Sequence, residues 1–176
     1  RVLLLDATTT PLVSAAARVS DTLDAGISLI EDLHRPREPL PAQEAVYFIS
    51  PGGGPGSPCP SVARLLEDWT RRPASSPPYA GAHVFFASTP AAGDLAAIKA
   101  CAPLLARLRS LRDAGLAFVA VDPRAAVTAP GSPLVPLYGP AGPDGEPPGQ
   151  RAAVGEVAAR LATLVTSLGA GPPTIR

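Results

Sequence analysis

The run Val2-Leu3-Leu4-Leu5-Asp6 decides the fold class of this chain. A short, continuous apolar stretch that ends in a charged residue is typical of a strand buried on both faces of a parallel sheet. Four other short apolar runs lie at residues 27–30, 45–49, 82–86 and 116–121, and stretches of helical periodicity lie between them. This alternation of strands and helices predicts an α/β fold: a Rossmann-like, doubly wound, five-stranded parallel sheet flanked by helices.

Helices are predicted where apolar residues recur with helical periodicity between the strands. One covers residues 12–23, with Pro11 in its first turn and Gly26 ending it. A second covers residues 62–69, with Ser61 as its N-terminal cap. One or two more are predicted between residues 94 and 114. There the leucines are expected to face inward and the arginines to face water: Leu104, Leu105, Leu108 and Leu111 against Arg107, Arg109 and Arg112.

Beyond Asp122 the pattern of strands and helices changes. Residues 129–149 are rich in proline and glycine, which is typical of a linker. A helix is then predicted over residues 151–168, and residues 174–176 begin another extended segment. We therefore expect residues 1–122 to form one domain, residues 123–149 a linker, and residues 150–176 the truncated start of a second α/β domain.

Composition excludes several classes of protein. The 176 residues include 15 basic and 15 acidic side chains, are 46% hydrophobic and only 17% charged, and so do not resemble a disordered chain. Zero net charge argues against nucleic acid or an anionic membrane as the main partner. No apolar run reaches the roughly 20 residues of a membrane-spanning helix. Cys59 and Cys101 lack the spacing of a disulfide framework, which favours a reducing compartment.

Enzymatic sites are weakly supported by the sequence. Residues 52–56 form a glycine-rich loop in the position of a phosphate-binding loop, but the Gly-Lys-Ser/Thr ending is missing and Pro55 removes an amide donor. Carboxylates at strand ends, among them Asp6 and Asp122, could hold Mg²⁺, yet such groups more often cap helices or pair with arginine. We expect no metal and no cofactor. A nucleotide-binding α/β enzyme of Rossmann-like architecture is the alternative.

A mixed-charge segment follows the second predicted strand. Residues 31–41 read Glu-Asp-Leu-His-Arg-Pro-Arg-Glu-Pro-Leu-Pro, with charges of both signs held on a backbone stiffened by proline. Such a segment is either a solvated connection or a docking surface, in which alternating charges give register and specificity.

Several blocks of this sequence closely resemble the SM proteins, the Sec/Munc-type syntaxin-binding proteins, and their exocytic branch most of all. The resemblance covers nearly the whole chain and is weakest over residues 123–149. It implies the first domain of a three-domain, non-enzymatic protein, followed by the opening helix of the second domain. The matching blocks include Gly26-Ile27-Ser28-Leu29-Ile30-Glu31-Asp32, Arg37-Glu38-Pro39-Leu40-Pro41, Ala45-Val46-Tyr47-Phe48-Ile49 and Ala82-His83-Val84-Phe85-Phe86.

The resemblance also implies a function. SM proteins bind a syntaxin-type Qa-SNARE and the assembled SNARE complex, and they promote SNARE assembly, vesicle docking and membrane fusion in secretion. The expected location is the cytoplasm, with peripheral attachment to the plasma membrane or vesicles through SNAREs. Neither nucleic acid nor a membrane span is implied.

Two binding sites are implied by the same resemblance. Reversing the charge of Glu31 or Arg37 is expected to weaken syntaxin binding by about 1–3 kcal/mol. The expected contacts in the syntaxin-binding cavity are Asp6, Arg18, Glu31, Asp32, Arg35, Arg37 and Glu38. The second site, for the N-terminal peptide of syntaxin, would involve Leu95, Leu108, Leu111 and Asp113, in a pocket made shallower by alanine where the family often has a large aromatic side chain.

Overall fold

A computed structural model describes residues 1–52, 57–73, 75–122, 125–127 and 150–167 of the chain. Five of its strands form one parallel sheet in the order β2-β1-β3-β4-β5, so the predicted fold class is confirmed. The elements are β1 Val2–Leu5, α1 Thr9–Ala16, α2 Val19–Asp24, β2 Leu29–Asp32, β3 Leu40–Ile49, α3 Pro60–Thr70, β4 Tyr79–Phe86, α4 Ala92–Ala100, α5 Ala102–Leu105, β5 Leu108–Asp113, β6 Val119–Asp122, β7 Ala125–Val127 and α6 Gln150–Ser167.

Strand β1 is a buried interior strand of the sheet, as its apolar run predicts. All four of its side chains are buried, and it pairs with β2 on one side and β3 on the other. Neighbouring residues of β3 then point to opposite faces of the sheet. Tyr47 packs in the main core beside α3, whereas Phe48 packs with Leu12 of α1 in a second, smaller cluster. Helices therefore cover both faces of the sheet, which makes it doubly wound.

The main core is built around three large aromatic side chains. The Tyr47 and Tyr79 rings meet edge to face with centroids 6.3 Å apart, and the Trp69 ring lies 6.4 Å from Tyr79. Trp69 Nε1 donates a hydrogen bond to Tyr47 Oη at 3.2 Å, so the polar atoms of both rings are satisfied. The apolar stripe predicted on the second helix is confirmed, with Leu66 half-buried and three side chains fully packed: Val62, Leu65 and Trp69.

The first predicted helix is two helices. The chain leaves helical geometry at Ala17 and is still extended at Arg18, whose φ is −78° and ψ 159°. Asp21 explains the break, because its Oδ2 accepts a hydrogen bond from the backbone amide of Arg18 at 2.9 Å. This side chain satisfies an amide that a continuous helix would bond internally, and it starts α2 instead.

The fifth strand of the sheet is not the one that the sequence predicted. Residues 108–113, predicted as helix, form strand β5 at the edge of the sheet. An irregularity opposite Ala82 and His83 inserts an extra residue, so that Leu108 and Leu111 both pack on the main core. This bulge produces a spacing of three that is indistinguishable from helical periodicity. Leu105, expected to face inward, is 44% exposed at the end of α5.

The run predicted as strand five forms a different structure. Residues 119–122 are strand β6, which pairs antiparallel with β7 rather than joining the parallel sheet. Strand β6 contacts α1. Helix α6 begins and ends within one residue of its predicted bounds. Residues 125–127 of the proposed linker at 123–149 form β7, and the rest of the linker and the segment at 174–176 lie outside the described residues. In the described part of the chain, no helix combines the length and the apolar character of a membrane span.

Gly26 ends α2 in a left-handed conformation, with φ at +82°. A Cβ at this position would meet no atom within 4 Å, so the cost of a side chain is conformational only. We expect Gly26→Ala to lower the free energy of unfolding by about 1 kcal/mol. Urea titration followed by the fluorescence of Trp69 measures this. Gly155→Ala, inside α6 and equally unobstructed, is the matched control and is expected to raise stability slightly.

Candidate protein-binding site

Asp6, at the carboxyl end of β1, is the buried junction of three segments. Its side chain is only 3% exposed, and its carboxylate accepts hydrogen bonds from the α1 start, the end of β3 and the α3 start. The donors are Thr8 N at 3.0 Å, Thr9 N at 2.8 Å, Thr9 Oγ1 at 3.1 Å, Ser50 N at 2.7 Å, Ser50 Oγ at 2.8 Å and Ser61 Oγ at 2.8 Å.

This environment gives Asp6 an internal role. Burial by itself raises the pKa of Asp6, but hydrogen bonds from Ser50, Thr9 and Ser61 stabilise the ionised form and bring the pKa below its ordinary value. Both carboxylate oxygens are occupied by donors of the chain itself. Asp6 was expected on the surface that contacts a partner; the structure places it in the interior. Its carboxylate is also unavailable as a Mg²⁺ ligand. Among the described residues, no three His, Cys, Asp or Glu side chains cluster as a metal site would require.

Helix α3 is capped by Cys59 and not by Ser61. Cys59 Sγ accepts a hydrogen bond from Val62 N at 3.4 Å, while Ser61 turns inward and donates to Asp6. The backbone amide of Cys59 donates to Asp94 Oδ1 at 2.7 Å. Burial, reinforced by the charge of Asp94, raises the pKa of Cys59 to about 11. The thiol therefore stays protonated and inert at neutral pH.

We term residues 31–38 the docking loop. The buried side chain of Arg37 holds the backbone of this loop in place. The Arg37 side chain is 4% exposed, and its Nη2 forms an ion pair with Asp68 on α3. Its Nη1 donates to the carbonyl oxygens of Asp32 at 2.9 Å, of Arg35 at 3.2 Å and of Leu33. The sequence placed Arg37 on the contact surface, but the structure buries it as a brace inside the docking loop.

Helix α3 supplies the other half of this brace. Arg64 Nε donates to the carbonyl of Leu33 at 3.2 Å, and Arg64 Nη2 lies 3.6 Å from Asp68 Oδ1. Tyr47 Oη donates to Asp68 Oδ2 at 3.3 Å, so the carboxylate is anchored to the core as well. We term Arg37, Arg64 and Asp68 the loop clamp. The sequence analysis did not identify Arg64 or Asp68, because their partners in the docking loop, Leu33 and Arg37, are far away along the chain.

Burial and the neighbouring charges act in opposite directions on Arg37 and Asp68: burial raises the pKa of Asp68 above its ordinary value despite the charges of Arg37 and Arg64. Burial lowers the pKa of Arg37, but the charge of Asp68 and the interactions with Tyr79 together raise it above its ordinary value. For Tyr47, burial and then the charge of Asp68 raise the pKa well above its ordinary value, so the phenol remains a hydrogen-bond donor. A buried charge pair of this kind is costly to break, because the group left behind has no solvent around it.

Above the loop clamp, the docking loop presents charges to solvent. Arg35 Nε lies 3.5 Å from Asp32 Oδ2, and the two side chains are 82% and 47% exposed. Glu31 is half-buried and has one buried carboxylate oxygen without a hydrogen-bond partner among the described residues. We term the set of predicted contacts that reach solvent the docking surface: Arg18, Glu31, Asp32, Arg35 and Glu38.

An apolar patch at the adjoining edge of the sheet was not predicted as part of the site. On α2, Val19 and Leu23 are 70% and 56% exposed, and on edge strand β2 both Leu29 and Ile30 are 40% exposed. Large exposed apolar side chains of this kind are typical of interaction surfaces. Their helical and strand periodicity had suggested burial against the core.

The second predicted site lies at the opposite edge of the sheet. Leu108, Leu111 and Asp113 share β5, and Leu95 is half-buried on α4. Both β5 leucines pack against the main core. Asp113 is exposed and accepts hydrogen bonds from Thr89 Oγ1 at 2.8 Å and from a loop amide. Peptide binding at this edge stays a prediction.

Comparison with known protein families identifies similar chains. The model of the family described as the Sec1 family matches residues 1–176. The Arabidopsis thaliana protein named SNARE-interacting protein KEULE is 33% identical over 169 residues, which are 96% of this chain and 23% of that protein. The protein named Protein transport Sec1a, from the same plant, is 30% identical over 138 residues, or 78% of this chain and 19% of its own length. The chain thus spans about a quarter of these relatives or less.

Solved structures support the fold. The Unc18–syntaxin 1 complex from Monosiga brevicollis matches 96% of this chain and 27% of the solved chain, with a TM-score of 0.75 and 25% identity. The SM protein Vps45 in complex with the Qa SNARE Tlg2 matches 95% of this chain and 27% of its own, with a TM-score of 0.77 at 19% identity. The second of these similarities concerns the fold alone.

Proposed function

The chain belongs to the Sec1 family, and on that premise we propose that it acts in vesicle-mediated transport by binding a syntaxin-type Qa-SNARE and promoting SNARE assembly. A relative is named for its interaction with SNAREs, and a structure 25% identical to the chain was solved in complex with syntaxin 1. The protein acts by binding rather than by bond chemistry: it favours one conformation or assembly intermediate of the SNARE over the others.

One observation in this chain carries the proposal. Most of the docking surface, with charges of both signs, lies on the docking loop, whose backbone the buried loop clamp holds in place. Fixed charges of alternating sign suit a polar helical partner, because they give specificity and still permit release. The exposed Val19 and Leu23 beside them supply apolar area that the same partner buries.

The wider organisation belongs to the same proposal. Residues 1–122 are the first domain, residues 123–149 a linker, and residues 150–176 the start of the second domain. The protein serves exocytosis, works in the cytoplasm, and reaches the plasma membrane or vesicles through its SNARE partner.

Isothermal titration calorimetry of the intact protein with the cytoplasmic part of a Qa-SNARE tests this proposal. We expect saturable binding with one site. Parallel titrations with ATP, GTP and NAD are expected to give no saturable heat. Indifference to every Qa-SNARE offered, or micromolar binding of a nucleotide, would contradict the proposed function and favour the enzyme alternative.

Arg35→Glu tests the docking surface directly. Because the Arg35 side chain is 82% exposed, reversal of its charge is expected to leave the unfolding free energy within about 0.5 kcal/mol of the wild type. Affinity for the Qa-SNARE is expected to fall by about 1–2 kcal/mol at low salt, and by less at high salt. Arg72→Glu, which reverses the charge of another exposed arginine just after α3, is the control and is expected to bind normally. Equal affinities of the two variants would exclude Arg35 from the interface.

A further inference from the structure

The docking loop depends on side chains for its conformation. Between β2 and β3, the carbonyls of Asp32, Leu33 and Arg35 all accept hydrogen bonds from the Arg37 guanidinium. Leu33 also anchors the loop through its fully buried side chain and through its amide, which donates to Leu5 O at 2.8 Å. A guanidinium with five donors in a planar fork is the side chain that can serve several carbonyls at once.

Asp68 determines where that guanidinium lies. It pairs with Arg37 and Arg64, and both arginines donate to the same carbonyl of Leu33. The carboxylate is only 11% exposed and is held in turn by Tyr47 Oη, which receives a hydrogen bond from Trp69 Nε1. A continuous series of polar contacts therefore connects the aromatic core to the backbone of the docking loop.

We propose that Arg37 and Asp68, with Arg64, are positioning residues for Qa-SNARE binding: they hold the docking loop in its binding conformation without contacting the partner. This inference rests on the proposed function. Arg37 and Asp68 have side chains 4% and 11% exposed, so they present almost no surface to a docked protein. They act through Asp32 and Arg35, whose carbonyls the clamp holds and whose side chains are in solvent.

An ordered docking loop in the free protein increases the affinity for the partner. A loop that is already in the bound conformation loses little conformational entropy on binding. If the competent conformation is populated only in a fraction of the molecules, the apparent dissociation constant rises by the inverse of that fraction. Loss of the clamp therefore weakens binding even though every contact residue is retained.

Arg37→Lys is the variant that separates positioning from charge. Lysine preserves the ion pair with Asp68, but its single ammonium cannot reach the carbonyls that the guanidinium fork serves. In the intact protein we expect amide hydrogen exchange of residues 33–38 to accelerate about tenfold, with exchange elsewhere unchanged. Affinity for the Qa-SNARE is expected to fall about tenfold in the same samples. Arg71→Lys, a surface arginine paired with Glu67 at 2.9 Å, is the matched control, and both of its readouts are expected to match the wild type.

Asp68→Asn, which keeps the shape of the side chain and removes its charge, provides a second route to the same comparison. Faster loop exchange together with weaker binding in either variant supports the inference. Unchanged loop exchange, or faster exchange with wild-type affinity, overturns it. If the wild-type protein binds no Qa-SNARE, the proposed function fails and this inference fails with it. If the wild-type protein binds a Qa-SNARE and both variants bind it equally well, only this inference fails.

Discussion

Replacement of Asp6 by alanine is expected to lower the free energy of unfolding by about 3–5 kcal/mol. The wild-type carboxylate accepts hydrogen bonds at 2.7–3.1 Å from Thr8, Thr9, Ser50 and Ser61. Alanine leaves several of these donors without an acceptor, among them the buried amide of Thr9 and the buried hydroxyl of Ser61, and an unpaired donor that water does not reach costs free energy. The ends of β1 and β3 and the start of α3 lose their common anchor.

The same carboxylate makes the stability of the fold depend on pH. Hydrogen bonding holds the pKa of Asp6 below its ordinary value of 3.8, so the unfolded chain binds a proton more readily than the folded chain. The stabilisation by Asp6 is therefore complete above about pH 5 and is lost as the pH falls through the folded-state pKa. In Asp6→Asn this part of the acid sensitivity is expected to disappear.

Urea titrations of the 176-residue chain between pH 2.5 and 7, about the range in which the Asp6 contribution changes, measure both effects through the fluorescence of Trp69. Asp24→Ala, at the exposed end of α2, is the control and is expected to change stability by less than about 0.5 kcal/mol. Wild-type stability of Asp6→Ala at neutral pH would show that the hydrogen bonds at Asp6 contribute little.

Arg37→Glu is expected to be strongly destabilising, with a loss of unfolding free energy of about 4 kcal/mol or more. It removes the cation from Asp68 and sets two carboxylates against each other in a buried site. It also withdraws the donors from the carbonyls of Asp32, Leu33 and Arg35. The sequence suggested a surface effect on binding instead, and the burial of Arg37 changes that expectation to a loss of the fold.

Thermal unfolding by circular dichroism distinguishes the two views. If Arg37 is a buried structural residue, the melting temperature of Arg37→Glu lies far below that of the wild type. Arg35 is two residues away and exposed, so Arg35→Glu is expected to melt at the wild-type temperature. The double variant Arg37→Glu/Asp68→Arg restores opposite charges and is expected to recover part of the lost stability. An Arg37→Glu protein as stable as the wild type, with only its binding impaired, would return Arg37 to the contact surface.

Strands and amphipathic helices of this chain could be predicted because their hydrophobic patterns are local. The run at β1 and the stripe on α3 identify buried surfaces whatever lies around them. Strand β5 could not be predicted in this way, because its bulge gives Leu108 and Leu111 the spacing of a helix. Like strand β5, the break between α1 and α2 could not be predicted from a local hydrophobic pattern, because Asp21 ends one helix and begins another through a single hydrogen bond.

The sequence identified the charged residues of the site, but it did not show which of them are buried and which are exposed. A sequence shows that Asp6, Arg35 and Arg37 are charged, yet only the fold determines which of them reaches solvent. Asp6 and Arg37 are buried because donors and acceptors distant in sequence converge on them. The same holds for Asp68, whose partner Arg37 lies on a different element.

The burial of the thiols makes the protein convenient for spectroscopy. Cys59 and Cys101 are both buried, and with its pKa raised to about 11 only roughly one Cys59 side chain in ten thousand is a thiolate at pH 7. Maleimide dyes react with thiolates that they can reach. One cysteine introduced at position 35 would therefore be labelled selectively, and a fluorophore there would report in real time on a partner that approaches the docking loop.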